Sequence, residues 1–480
     1  MNEAGRVRVA AAPIAAAQAF ERRLPAVAAA ILVAAALANI HAALALRGYF
    51  ADGSYWLVEM ISRGGFFLQE EARLAADFLE ELPTVLALGL GISSVHSLGV
   101  VWGLTLHLLP LVFVAGCYVA LPKGSKSLFV YPLFFYLAGV QASAFASIAA
   151  GATATGYFWL LLILIIYHGN GPWGFAALAA ASVPALYAHE VMVILAPVLA
   201  VAAAWRGRCA RTAWARLGFA AIAIWFIVVA ARQIGFTLYP RDALNRGLFI
   251  EAMVKCKFVA TKQGINAPTL LGLAAAALLP GLLLIQRTAT QAAALAGFAL
   301  VAIATALGPL WCDFLFWPTL QFEARYYNAF LSVPLAAGFM LSNQRPAWCA
   351  LWAKMPLLSL LLLLAAGQFG WQVNGTYSWS RWLDAWQTVL RGHRGLVPWS
   401  AAQPELAVGL PPTADDPTEK WVAFGWAFPS LSLLLAPDGK VQALIGAPSV
   451  PWQPFDPADP ATLPRSPLLD TSAYRAALAR

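Results

Sequence analysis

The chain has 480 residues, of which 61% are hydrophobic and 11% charged, and its mean hydropathy is +0.69. Soluble domains carry roughly 25% charged residues, so the composition excludes an ordinary soluble protein and points to a polytopic membrane protein. The net charge of +8 does not suggest a nucleic-acid partner, because the basic residues are split among short loops.

Apolar runs recur near residues 24–46, 98–121, 128–150, 153–168, 173–188, 190–205, 217–234, 268–285, 291–309, 328–343 and 355–372. They predict an all-α protein with about 11 transmembrane helices. The first run is longer than the roughly 7–15 residues of a signal-peptide core, so it reads as a retained span. With the N-terminus inside, alternation brings Lys123, Lys126, Arg206, Arg208, Arg211, Arg216, Arg287, Arg345 and Lys354 to the inner side, which is the positive-inside pattern. Of all Asp and Glu, only Glu3 and Glu21 then fall inside. The expected location is the inner (plasma) membrane, with the chemistry on the outer face.

The outer side holds the first candidate site. Gly48-Tyr49-Phe50-Ala51-Asp52-Gly53 follows the first span and puts a carboxylate at the outer surface. An Asp beside Gly also suits a solvated turn. Residues 55–81 mix Trp56, Phe66, Phe67 and Phe78 with Glu59, Arg63, Glu70, Glu71, Arg73, Asp77, Glu80 and Glu81, which predicts interfacial helices within 53–97, broken at Gly64-Gly65. An ordinary soluble loop helix would carry a similar mixture.

Further along, His189-Glu190 sits between two apolar runs, where an ionisable pair needs a cavity or a partner. It could equally cap the next helix. The loop 235–267 carries Arg241, Arg246, Lys255, Lys257 and Lys262 on the outer side, against the charge rule, and so suits an anionic ligand or a solvated helix. Arg325-Tyr326 opens a late crossing, where a guanidinium fork can take a lipid phosphate or anchor the interface. No metal-binding motif stands out and no cofactor is required, although Asp52, Glu190 and Asp313 offer oxygen ligands for a divalent cation. Cys256 and Cys312 both fall in outer loops, where a disulfide is chemically allowed.

Two domains follow from this pattern: a transmembrane domain over 1–372 and an extracytoplasmic C-terminal domain over 373–480. In the second, Leu431–Ala436 and Val441–Ile445 flank Pro437-Asp438-Gly439-Lys440, which predicts a β-hairpin in a small, partly β cap. The stretch from about Pro448 is too rich in proline for regular structure.

In layout, residues 20–372 resemble the GT-C superfamily of integral-membrane glycosyltransferases, with the arabinosyl-, mannosyl- and aminoarabinose-transferase branches nearest. The likeness rests on Asp52 in Tyr49-Phe50-Ala51-Asp52-Gly53, on the interfacial stretch through Leu82-Pro83, and on Arg325-Tyr326 with Pro334 at the start of a late span. It implies a polyprenyl-phosphate-linked sugar as donor and a lipid, glycan or protein acceptor. It also implies that Asp52 is the base and Arg325 the phosphate ligand. The family's first loop often pairs two acids; here Gly53 follows Asp52, and Glu190 is the partner acid chosen. Tyr326, His189, Arg241, Lys255 and Lys257 complete the expected substrate contacts. A surface-polysaccharide ligase or polymerase using a polyprenyl-pyrophosphate donor would share this layout. A transporter or flippase would show inverted repeats and charges at midplane, whereas these spans have almost no central charges, and His41 and His107 are isolated.

Overall fold

The computed structural model describes residues 3–68, 70–141, 150–169, 171–238, 260–261, 264–265, 321–343, 347–407, 427–446 and 455–479. Among these residues the protein is largely helical. In chain order it has α1 (Glu3–Leu44), α2 (Asp52–Arg63), α3 (Leu74–Gly89), α4 (Val95–Ala120), α5 (Val130–Phe135), α6 (Ala150–Tyr167), α7 (Pro172–Ser182), α8 (Met192–Cys209) and α9 (Ala213–Leu238). A two-residue pair of antiparallel strands, β1 (Ala260–Thr261) and β2 (Gly264–Ile265), follows. Beyond it come α10 (Gln321–Asn343), α11 (Ala347–Gly392), β3 (Gly395–Val397), α12 (Trp399–Ala407), α13 (Phe428–Leu434), β4 (Ala443–Ile445) and α14 (Ser472–Leu478).

Five of these elements are long and apolar enough to cross a membrane: Arg22–Leu44 of α1, α4, α6, α8 and Ala213–Phe236 of α9. Even the 18-residue members span about 27 Å at 1.5 Å per residue, close to a bilayer's hydrocarbon thickness. The expected span at 128–150 is not one regular helix. It runs as a 3-10 turn (Lys123–Phe129), then α5, then a π-helical turn (Tyr136–Gln141). The expected span at 173–188 is split into α7 and a 3-10 turn (Val183–Tyr187), with Pro184 at the second turn's start. The runs at 268–285 and 291–309 lie outside the described residues, as do Cys256 and Cys312.

Contacts between helix ends sort the charges. At one end His168 Nε2 meets the Ala120 carbonyl at 2.6 Å, Lys126 bonds the Tyr118 carbonyl, and Tyr167 OH donates to Asn343 Oδ1 at 2.6 Å. At the other end Thr153 Oγ1 donates to Glu80, Arg73 pairs with Glu190, and Gln233 Nε2 donates to the Ala72 and Leu186 carbonyls. The bundle therefore has a basic end and an acidic end.

Two buried clusters organise the packing. One fills the helical bundle, around Phe135, Phe158, Trp159 and Phe339. The second joins Tyr49, Tyr55, Trp56 and Trp102 to Trp379, Trp382 and Trp386 of α11 and to Phe428, Leu444 and Tyr474. Residue 372, the expected domain boundary, falls inside α11, which runs unbroken over 46 residues. The C-terminal residues thus share a core with the segment around Asp52. Within that core the expected hairpin does not form. Leu431–Leu434 is helical, and β4 pairs in parallel with β3, Leu396 opposite Leu444. The turn itself is present, with Asp438 at φ 53° and Gly439 at φ 69°. The preceding run is buried on every side, so it carries no two-residue alternation, and its leucines favour helix.

Candidate functional site

Asp52 opens α2 and is half-buried. The backbone beneath it is pinned to α4. Tyr49 OH donates to the Val95 carbonyl at 3.1 Å, and Trp102 Nε1 donates to the Gly53 carbonyl at 3.1 Å. Ser54 Oγ donates to the Ala51 carbonyl at 2.9 Å. The glycines allow this close approach: a Cβ on Gly53 would stand 2.0 Å from the Gly48 carbonyl oxygen, and one on Gly48 would stand 2.8 Å from Gly103 Cα. Ala51, immediately before Asp52, holds φ 47° and ψ −120°. That is a strained backbone for an L-residue, of a kind that persists only when its surroundings over-determine it. The carboxylate therefore projects from a rigid platform at the N-terminus of a helix, where negative charge is favoured. One turn on, the Tyr55 phenol is pushed up to about 12, by burial first, then by Glu59, with Asp52 adding to it against Arg63.

α2 ends at Gly64, φ 62°, whose N–H caps the Met60 carbonyl. This is the expected break at Gly64-Gly65. α3 then differs from an ordinary surface helix. Asp77, Glu80, Glu81 and Thr84 are 2%, 0%, 0% and 0% exposed, while Phe78 and Leu86 are 42% and 56% exposed. The spacing i, i+3, i+4, i+7 puts the four polar residues on one face, and that face points inward. Thr153 Oγ1 of α6 donates to Glu80 Oε1 at 2.8 Å, and the Phe67 N–H donates to Glu81 Oε2 at 2.7 Å.

Before α3, Arg73 grips Glu190 through Nε at 2.9 Å and Nη2 at 2.6 Å, on groups only 12% and 17% exposed. Burial alone would lower the Arg73 pKa. The Glu190 charge and hydrogen bonds, with Glu70 and Asp77 behind them, outweigh burial and raise it. His189 Nδ1 accepts the Val191 N–H at 3.1 Å, capping the turn into α8, and lies 3.2 Å from Glu190 Oε2. Glu190 thus sits between the Arg73 guanidinium and the His189 ring. The structure thus brings His189 and Glu190 together with Arg73, while Asp52 belongs to the Leu46–Ser54 platform.

Arg325 and Tyr326 lie in the first turns of α10, with their side chains outside the described set, and Arg241, Lys255, Lys257 and Asp313 lie outside the described residues altogether. Among the described residues, no group of three or more His, Cys, Asp or Glu is placed to hold a metal ion. The inward acids of α3 and the Arg73 partner of Glu190 escaped the sequence reading. Their signal was the stripe at 77, 80, 81 and 84 opposite Phe78, Leu79 and Leu86. Comparison with protein-family models, curated proteins and solved structures returns no match for this chain.

Proposed function

We propose that the protein is a membrane glycosyltransferase that moves a sugar from a polyprenyl-phosphate donor to an acceptor at the outer face of the inner membrane. The observation that supports it most is Asp52, an acid on a strained and tightly packed platform at the acidic end of an apolar helical bundle. A rigid support of this kind is what a positioned base needs. In this reading about 11 spans cross the membrane, N-terminus inside. The acceptor oxygen attacks the anomeric carbon, Asp52 takes the hydroxyl proton, and the carrier phosphate leaves with the electron pair of the broken C–O bond. Configuration inverts. Arg325 and Tyr326 hold the phosphate, with Arg241, Lys255 and Lys257 adding positive charge. Glu190, held by Arg73, serves with His189 to shape the site. The step as written requires no cofactor.

Purified protein in lipid nanodiscs, given polyprenyl-phosphate sugars and an acceptor, tests the reading directly. Transfer should require the lipid-phosphate donor, and transfer from none of a panel of such donors would overturn it. Arg325→Lys should bind donor more weakly, because a point charge does not replace a planar fork. Unaltered donor affinity in Arg325→Ala would remove Arg325 from the site. Orientation is checked separately: a reporter active only outside the cytoplasm should work when fused after residue 372 and fail at residue 210. The reverse pattern would invert the placement of every group named above.

A further inference from the structure

The inward face of α3 has a property that glycosyl transfer does not use. Among the described residues, Asp77 Oδ1, Glu80 Oε2, Glu81 Oε1 and Thr84 Oγ1 are buried with no hydrogen-bond partner. Three ionised carboxylates on one helix face would need counter-charges. The charged groups facing them are Arg73, which closes a 3-10 turn (Glu71–Arg73) before α3 and has Glu70 beside it, Glu190 before α8, and Arg63 at the end of α2. Arg73 is taken up by Glu190, and Arg63 by Glu59 at 3.1 Å. His189 lies against Glu190, and α6 brings the uncharged Thr153. Of the two α4 histidines, His96 is exposed, and the buried His107 ring lies near Arg47. Buried charge without a partner costs several kcal/mol per ion, whereas a neutral carboxylic acid packs at far lower cost.

We infer that this face of α3 is a proton-binding site: Asp77, Glu80 and Glu81 are neutral acids when the helix is seated against α4 and α6, and losing their protons unseats it. The directions agree. Burial, then Glu80, pushes Asp77 well above the usual carboxylate range. Burial lifts Glu80 to about 8 against the Thr153 hydrogen bond. Burial lifts Glu81 to about 7 against the Phe67 N–H and Arg63. The seated helix therefore holds protons that an exposed one releases. Its stability is complete below the ordinary carboxylate range and falls as pH rises through about 7 and about 8, where Glu81 and Glu80 release their protons. The site is independent of the proposed transfer reaction and is tested without a substrate.

The full chain is placed in nanodiscs with its five native cysteines replaced by serine. Thr84→Cys is labelled with a maleimide between about pH 6 and about pH 9, with the exposed Ser93→Cys as reference for thiol ionisation. The ratio of the two rates should rise with pH, by up to about tenfold per pH unit for each proton released. In the Asp77→Asn, Glu80→Gln, Glu81→Gln background the ratio should stay low and flat, because amides imitate the protonated acids. Infrared spectra of the unmodified chain should show a protonated-carboxyl band at neutral pH that weakens between about pH 6 and about pH 9. A flat ratio in the parent chain, a ratio that still rises in the triple variant, or absence of that band would each overturn the inference.

Discussion

Asp52→Asn should lower turnover by about 10²–10⁴-fold, the usual contribution of a general base, while leaving expression and thermal stability near those of the parent. The separation is possible because of where the residue sits. Asn keeps the shape and still suits the start of a helix, and the platform beneath it is pinned by the Tyr49 and Trp102 side chains, which donate to the Val95 and Gly53 carbonyls. Glu190→Gln is the comparison: because it leaves Arg73 without its carboxylate, turnover is taken per folded molecule, and a larger loss there than at Asp52 would move the base to Glu190. Full transfer activity in Asp52→Asn would leave Asp52 as an ordinary helix-opening acid.

Arg73→Ala should be among the most destabilising single changes, costing about 3–5 kcal/mol, the typical penalty for removing one partner of a largely buried pair. Both groups are well under a third exposed, so solvent screening takes little from this figure. Removing both charges together, as Arg73→Met with Glu190→Met, should recover most of the loss, because neither charge is then left alone. Denaturant unfolding of the single and double variants gives the answer. An Arg73→Ala variant as stable as the parent would mean that Glu190 finds another partner or gives up its charge.

The long spans were legible because their apolar runs exceed anything a soluble fold would use, and Gly64 announced its own break by its freedom at positive φ. The site was legible only in part. Asp52 and the His189-Glu190 pair stood out against apolar surroundings. The inward face of α3 did not, because polar residues in a mixed segment are assumed to meet water, and here Phe78 and Leu86 take the outside instead. Arg73 and Glu190 are 117 residues apart, and no local pattern encodes a pair so distant. The shared core was hidden for a related reason. Trp379, Trp382 and Trp386 pack tilted at 5.2 and 4.8 Å along α11, and the helix that carries them begins at Ala347, on the far side of the expected domain boundary.

The inside-out character of α3 also constrains the order in which the protein is built. The partners of its polar face arrive late in synthesis: Thr153 is 73 residues beyond Glu80, and Glu190 is 117 beyond Arg73. Until α6 emerges, the Phe67 N–H reaches Glu81, but Glu80 still lacks its Thr153 donor. The segment between α1 and α4 must then wait at the aqueous surface while later helices insert. Docking of α3 becomes a late assembly event, and a ribosome stalled after α4 would display an acidic helix that the finished molecule conceals.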